Sequence, residues 1–261
     1  MEQKGKRIQA VEKAVLLMDV LWKERRELSL AELGKLTQMA KSSIHITLMT
    51  LMDSSLVTQN PENGKYYLGH HAYELGCAAS MPWEILPVAE HHMNRVVEQY
   101  GISMYLGKRC GDEIVLIKNV EPNYDVVISS PQGGRIPMYG CAQGKCILAQ
   151  LPEAELERYL RNCQFKSYTM LPAYNAEELR KELLMIRNQG FSTSQMLRTG
   201  TRSVGAPIFD RNGRCEYGLA AVGLSKGPLS IETFTKTRDI VMQTAHGITI
   251  ELQRPSSWRG Y

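Results

Sequence analysis

The stretch SLAELGKLTQMAKSSIHITLMTLMDSSLVTQNPENGKYYL, residues 29–68, decides how the first part of the chain folds. Ser29-Leu30-Ala31-Glu32 has the pattern of a capping box, with the Ser29 hydroxyl on the third amide and Glu32 reaching back. Leu33 and Leu36 follow at helical spacing, so a short amphipathic helix is expected. A break falls at Thr37-Gln38-Met39, and a second helix is predicted from Lys41 to Asp53. On it Ile44, Leu48, Leu51 and Met52 share a side that must face a core. The opposite side carries Ser42, Ile46, Met49 and Asp53, flanked by Ser43, His45 and Thr50. A β-prone run at 56–59, the turn Asn60-Pro61-Glu62-Asn63-Gly64 and its partner at 65–68 make a hairpin, with Asn-Gly supplying positive φ. Working outward, Ala14, Leu17, Met18 and Leu21 recur at spacings of three and four, a helix to pack beneath both.

Two short helices and a hairpin are the plan of a winged helix-turn-helix, a module that sets its second helix into a groove of double-stranded DNA. Ser42, Ser43, His45 and Ile46 are then expected near bases, with Lys41, Lys65 and Tyr66 on phosphates or in the minor groove. Charge gives this reading only weak support. Residues 1–72 hold ten Lys/Arg against eight Asp/Glu, and the whole chain is +4. Phosphate contacts must come from clustering, at Lys4-Gly5-Lys6-Arg7, Lys41 and Lys65.

At 261 residues, with 43% apolar and 22% charged residues, the chain has material for two globular domains. No apolar run is long enough for a signal peptide or a membrane span, so a cytoplasmic protein without membrane contact is expected. Six cysteines stand without a C-x-x-C pair, read as reduced thiols and not as a metal site. The pairs His70-His71 and His91-His92 are read as solvated helix residues, and no metal or cofactor is expected.

Beyond a connecting helix from 69 to 80, a helix at 85–100 ends at Gly101. Strands are expected at 103–106, 113–120 and 126–129, then a helix from about Gly144 and another at 153–162. Asn175-Ala176-Glu177-Glu178 is a second capping box, heading a helix that stops at Gly190. Strands follow at 191–195, 203–209 and 217–224, and Ser230 is expected to cap a last helix running to about Gln253. Hairpins followed by helices argue for an α+β fold, its antiparallel sheet covered on one face. A doubly wound nucleotide fold is disfavoured, because no G-x-G-x-x-G follows a strand.

Three motifs in order resemble the IclR-type bacterial transcription regulators over nearly the whole chain. They are the winged module ending in Tyr66-Tyr67-Leu68-Gly69, the run from Gly134-Arg135-Ile136-Pro137 to Gly144-Lys145, and Gly190-Phe191-Ser192 followed by Gly200 to Asp210. The resemblance implies a DNA-binding domain at 1–69, a linker helix at 70–81, a GAF/PAS-like effector-binding domain at 82–254 and a tail at 255–261. It implies a small organic effector, often a carboxylate or aromatic, and homodimers or homotetramers. Carried over by position, the effector pocket is lined by Ala142, Gln143, Ser194 and Ser203, with Gly223 and Ser225 as the inward pair of the last strand. Amides at a helix N-terminus suit a carboxylate independently of the resemblance. Three departures stand out: Ile46 in place of an Arg on the recognition helix, Gln38 in place of a Gly, and Ser194-Gln195 in place of an acidic pair.

Two other classes fit the residues poorly. An enzyme using Cys141 or Cys146 as nucleophile needs a base, and no His lies between 93 and 245. A haem or cyclic-nucleotide sensor needs an axial-ligand or phosphate-loop pattern that the sequence lacks.

Overall fold

The computed structural model describes residues 7–81, 83–124, 130–165, 175–196, 200–224 and 233–254, and the chain divides into two compact units, Met1–Trp83 and Glu84–Tyr261.

In the first unit, helix α1 spans Gln9–Glu24, α2 Leu30–Thr37 and α3 Lys41–Asp53, followed by the hairpin β1 (Val57–Gln59) and β2 (Tyr66–Leu68) and by helix α4 (His70–Ser80). Leu17, Leu21, Leu28, Leu33, Ile44, Leu48, Leu51 and Val57 are buried together as one core. The capping box of α2 is complete: the Ser29 hydroxyl accepts from the Glu32 amide at 3.3 Å, and the Glu32 carboxylate accepts from the Ser29 amide at 2.9 Å. Gln38 takes the left-handed conformation at φ 58°, a position where glycine is favoured by roughly 1 kcal/mol. A reciprocal backbone pair between Leu28 and Tyr66 adds residue 28 to the hairpin as a third, one-residue strand.

The second unit is built on six strands in the order β5-β4-β3-β8-β7-β6, antiparallel throughout. They are β3 (Ser103–Cys110), β4 (Glu113–Val120), β5 (Arg135–Pro137), β6 (Ser192–Met196), β7 (Thr201–Ile208) and β8 (Tyr217–Leu224). Helices α5 (Ile85–Tyr100) and α9 (Phe234–Gln253) pack on each other and on the sheet. On the other face lies α6 (Ala142–Gln150), backed by α8 (Ala176–Gln189), with α7 (Glu153–Asn162) in the same core. The sheet is therefore covered on both faces, not on one. Strand alternation explains it. Met104, Leu106, Val204, Leu219 and Ala221 are fully buried on one side, Tyr105, Ile114 and Leu116 on the other.

Several boundaries differ from the sequence reading. Strand β3 runs on to Cys110, the short strand β5 was not foreseen, and α6 starts two residues before Gly144. The last helix begins at Phe234 with Thr233 at its N-cap, not at Ser230, which with the strand expected at 126–129 and the tail at 255–261 lies outside the described residues. Gly101 and Gly190 close α5 and α8 in the left-handed conformation, as expected.

Candidate functional site

The outward face of α3 is the first candidate. A single residue separates Ile44, fully buried, from Ile46, 68% exposed. Lys41, Ser42, His45, Ile46, Met49 and Thr50 are exposed and Ser43 is half-buried, so most of the predicted base-facing set lies on one open surface. Thr47 and Thr50 turn their hydroxyls back onto the Ser43 and Ile46 carbonyls at 2.8 and 3.1 Å. Those two side chains therefore satisfy the helix itself. Lys65 is half-buried at the hairpin. Tyr66 is not where the sequence reading put it. It is 7% exposed in the core, because its pairing with Leu28 turns it inward, and Tyr67 takes the open side at 39%. Lys4, Gly5 and Lys6 lie outside the described residues, and Arg7 pairs with Glu12 at 3.4 Å.

The second candidate is a cavity of about 310 Å³ between the sheet and the start of α6. Its apolar wall is Leu116, Ile136, Pro137 and Val222 with Tyr105, and its polar lining includes Gln143, Ser194, Thr201 and Ser203. Glycines let the helix come this close. A Cβ on Gly205 would sit 3.0 Å from the Ala142 backbone, and one on Gly218 would sit 2.8 Å from the Gln143 carbonyl. Ser192 ties the helix start down by donating to the Ala142 carbonyl at 2.5 Å. The Ala142 and Gln143 amides head the helix and find no acceptor among the described residues.

Side chains divide by strand parity. Ser194, Ser203 and Val222 are cross-strand partners and share the cavity face. Gly223 pairs with Arg202 on the opposite face, so the inward residue of β8 is Val222, one position earlier than expected. Ser225 lies outside the described residues. Ala142 is fully buried and faces Gly205. Its neighbours Cys141 and Gln143 line the cavity, and Ala142 does not. The two predicted serines do line it, but Ser194 donates to the Gly140 carbonyl at 3.2 Å and Ser203 to the Ser194 carbonyl at 3.5 Å. What they offer a ligand is an acceptor.

Charge at this site is sparse. Arg135 and Glu113 pair at 3.0 Å, both about half exposed. Lys145, 8% exposed, is committed to Glu182 at 2.8 Å and to the Thr193 carbonyl at 3.1 Å. Arg202, half-buried, borders this cavity and a second of about 360 Å³ with Thr193, Gln195 and Phe234, and has no partner among the described residues. Sequence reasoning missed it, along with Tyr105, Leu116, Ile136 and Val222. An Arg beside a predicted pocket serine was the only signal on offer. The Tyr105 hydroxyl donates to Glu121 at 2.8 Å, and burial together with that carboxylate pushes its phenol up.

The thiols are unsuited to catalysis. Burial pushes Cys141 up to about 11 and Cys146 up to about 12, far from the thiolate a nucleophile requires. Cys146 rests against the Ser192 hydroxyl and the Gly205 carbonyl, both at 3.2 Å. Of the histidines, His92 faces Glu251 at 3.0 Å and His71 faces Glu74 at 2.8 Å. Among the described residues no three metal-binding side chains cluster, and no helix is long and apolar enough to cross a membrane.

The chain and its fold match known proteins. Residues 77–250 match the family described as bacterial transcriptional regulator IclR C-terminal, and residues 10–61 match the IclR helix-turn-helix domain. The chain belongs to the IclR family. It is a ligand-responsive, DNA-binding transcriptional regulator, not an enzyme. The HTH-type transcriptional regulator XynR of Escherichia coli is 32% identical over 84% of this chain and 86% of its own length. The transcriptional repressor IclR of the same species is 24% identical over 93% of this chain and 89% of its own. A crystal structure of an IclR homologue complexed with 4-hydroxybenzoate, from Microbacterium hydrocarbonoxydans, superposes with a TM-score of 0.80 at 20% identity, covering 94% of this chain and 99% of that one. At that identity the likeness speaks to the fold.

Proposed function

We propose that this IclR-family regulator is a repressor that leaves its operator when a small organic carboxylate, aromatic in its best form, fills the cavity at α6. The observation that carries the effector class is the start of α6 at this cavity, where Gln143 lines an apolar wall and the Ala142 and Gln143 amides have no acceptor among the described residues. Helix amides bind a carboxylate without a cationic side chain. A volume of about 310 Å³ suits a single ring with its substituents. The Ser194 and Ser203 oxygens, already donating, accept from a ligand hydroxyl. The 4-hydroxybenzoate bound by a homologue has both features.

On DNA, Ser42, Ser43, His45 and Ile46 approach base edges, and Lys41 and Lys65 approach phosphates. Ile46 and Met49 offer an apolar surface suited to thymine methyl groups. Ile8, Val11 and Val15 expose an apolar stripe along α1, at 68%, 56% and 52%, which supports pairing of two copies through this unit, as a homodimer or within a homotetramer. Such a protein acts in the cytoplasm.

One titration tests the reading: fluorescence anisotropy of the promoter duplex, with and without 4-hydroxybenzoate, benzoate and benzamide. The carboxylates are expected to weaken DNA binding and the neutral amide to leave it alone. The double variant Lys41→Ala/Ser43→Ala is expected to bind about tenfold more weakly at moderate salt. Unchanged affinity of the variant refutes the docking, and equal indifference to all three ligands refutes the effector class.

A further inference from the structure

Between α1 and α2 stands a carboxylate whose neighbours are amides. Glu27 accepts from the Asn60 side-chain amide at 2.9 and 3.1 Å and from that of Asn63 at 2.7 Å. Both asparagines belong to the hairpin loop, 33 and 36 residues downstream. Each turns its own oxygen onto the loop backbone, Asn60 accepting from the Glu62 amide and Asn63 from the Lys65 amide, both at 2.9 Å. The loop closes on itself as well, through Asn60 N to the Lys65 carbonyl, Gly64 N to the Asn60 carbonyl and the Gln59 side chain to the Gly64 carbonyl, each 2.8 Å. The next residue, Leu28, exchanges both backbone hydrogen bonds with Tyr66. One side chain outside the hairpin thus holds the loop at both of its ends.

We propose that Glu27 is a positioning residue for DNA binding, setting the loop so that Lys65 meets the backbone in one fixed geometry. This rests on the reading of the hairpin as a DNA contact. The reason is preorganisation: a surface loop ordered before the encounter loses less entropy on binding than one ordered by it. A plain electrostatic account predicts the opposite sign. A carboxylate beside a DNA-facing lysine repels phosphate, so removing it strengthens binding on charge alone. The amide donors and the nearby Lys65 hold Glu27 below the usual carboxylate range, so it stays charged at neutral pH.

The test compares Glu27→Ala, Glu27→Gln, Lys65→Ala and Glu62→Gln in the full-length protein on the same duplex across a salt series. Glu62 is an exposed carboxylate on the same loop. Glu27→Ala is expected to bind about tenfold more weakly, and Glu27→Gln, keeping one acceptor, about threefold. Both Glu27→Ala and Lys65→Ala are expected to flatten the salt dependence by about one phosphate contact. Glu62→Gln is expected to bind as well as wild type or better. Should Glu27→Ala fail to fold, Asn63→Ala, which removes the 2.7 Å bond to Glu27 together with the loop bond from the Lys65 amide, is expected to show the same flattening. Glu27→Ala binding as tightly as wild type or tighter, while Lys65→Ala weakens, overturns the proposal and leaves the hairpin contact standing. If both variants are silent, the hairpin contact itself falls.

Discussion

The two units assemble their sites on different length scales. The open surface of α3, proposed to face DNA, comes from nine consecutive positions, Lys41 to Met49, on a helix whose phase is set by its own Ile44, Leu48 and Leu51. The cavity proposed for the effector gathers Tyr105, Gln143, Ser194, Ser203 and Val222 from four strands and a helix start, up to 117 positions apart, as Tyr105 and Val222 are. A helical face needs only the 3.6-residue period to be predicted. A cavity needs the register of every strand beneath it, and each register is a separate long-range choice.

The sharpest way to break the comparison is within α3. Ile44→Ala is expected to destabilise the first unit by about 2–4 kcal/mol, from lost burial plus the cavity left behind. Ile46→Ala, two residues on, is expected to stay within about 0.5 kcal/mol of wild type while changing operator affinity. Urea melts read both. Equal destabilisation would mean that Ile46 is covered in the native protein and the face is not open.

A second variant probes the cavity side. A Cβ on Gly144 would fall 2.3 Å from the Met138 carbonyl, and neither atom belongs to a flexible side chain. Gly144→Ala is expected to cost about 1–3 kcal/mol in the second unit and to abolish the ligand-induced rise in melting temperature, because the α6 amides move. A variant that melts lower yet keeps its full ligand response would detach those amides from recognition.

The smallest expected effect concerns pH. The Ser29 amide, the Arg26 guanidinium and the Ser29 hydroxyl, in that order, hold Glu32 down to about 2, from an ordinary value of 4.5. A carboxyl depressed on folding adds stability above 4.5 that is lost as pH falls toward 2. Stability of Glu32→Gln is expected to fall less steeply over that window, its midpoint converging on wild type near the acid end. Parallel curves would show the capping box to be electrostatically idle.

Local chemistry was legible throughout. Both capping boxes, the span of α3 from Lys41 to Asp53 and the glycines at 101 and 190 were correctly read, because each depends on residues within a turn or two. The errors cluster where one residue of phase matters. Tyr66 and Tyr67 are chemically alike, and only the pairing with Leu28 sends the first inward. Val222, not Gly223, faces the cavity because it lies opposite Ser203, and no property of either residue announces it. Cys141 lines the cavity and Ala142 does not for the same reason, since the turn before α6 sets the helix phase.

By itself, then, the sequence determined the list of elements, the open face of α3 and membership of the family, since helix periods and caps are written in near neighbours. Only the tertiary structure decided which face of each strand looks into the cavity and that Glu27 holds the hairpin loop. Those facts depend on contacts across tens of residues, where a shift of one position inverts the answer at almost no change in local energy.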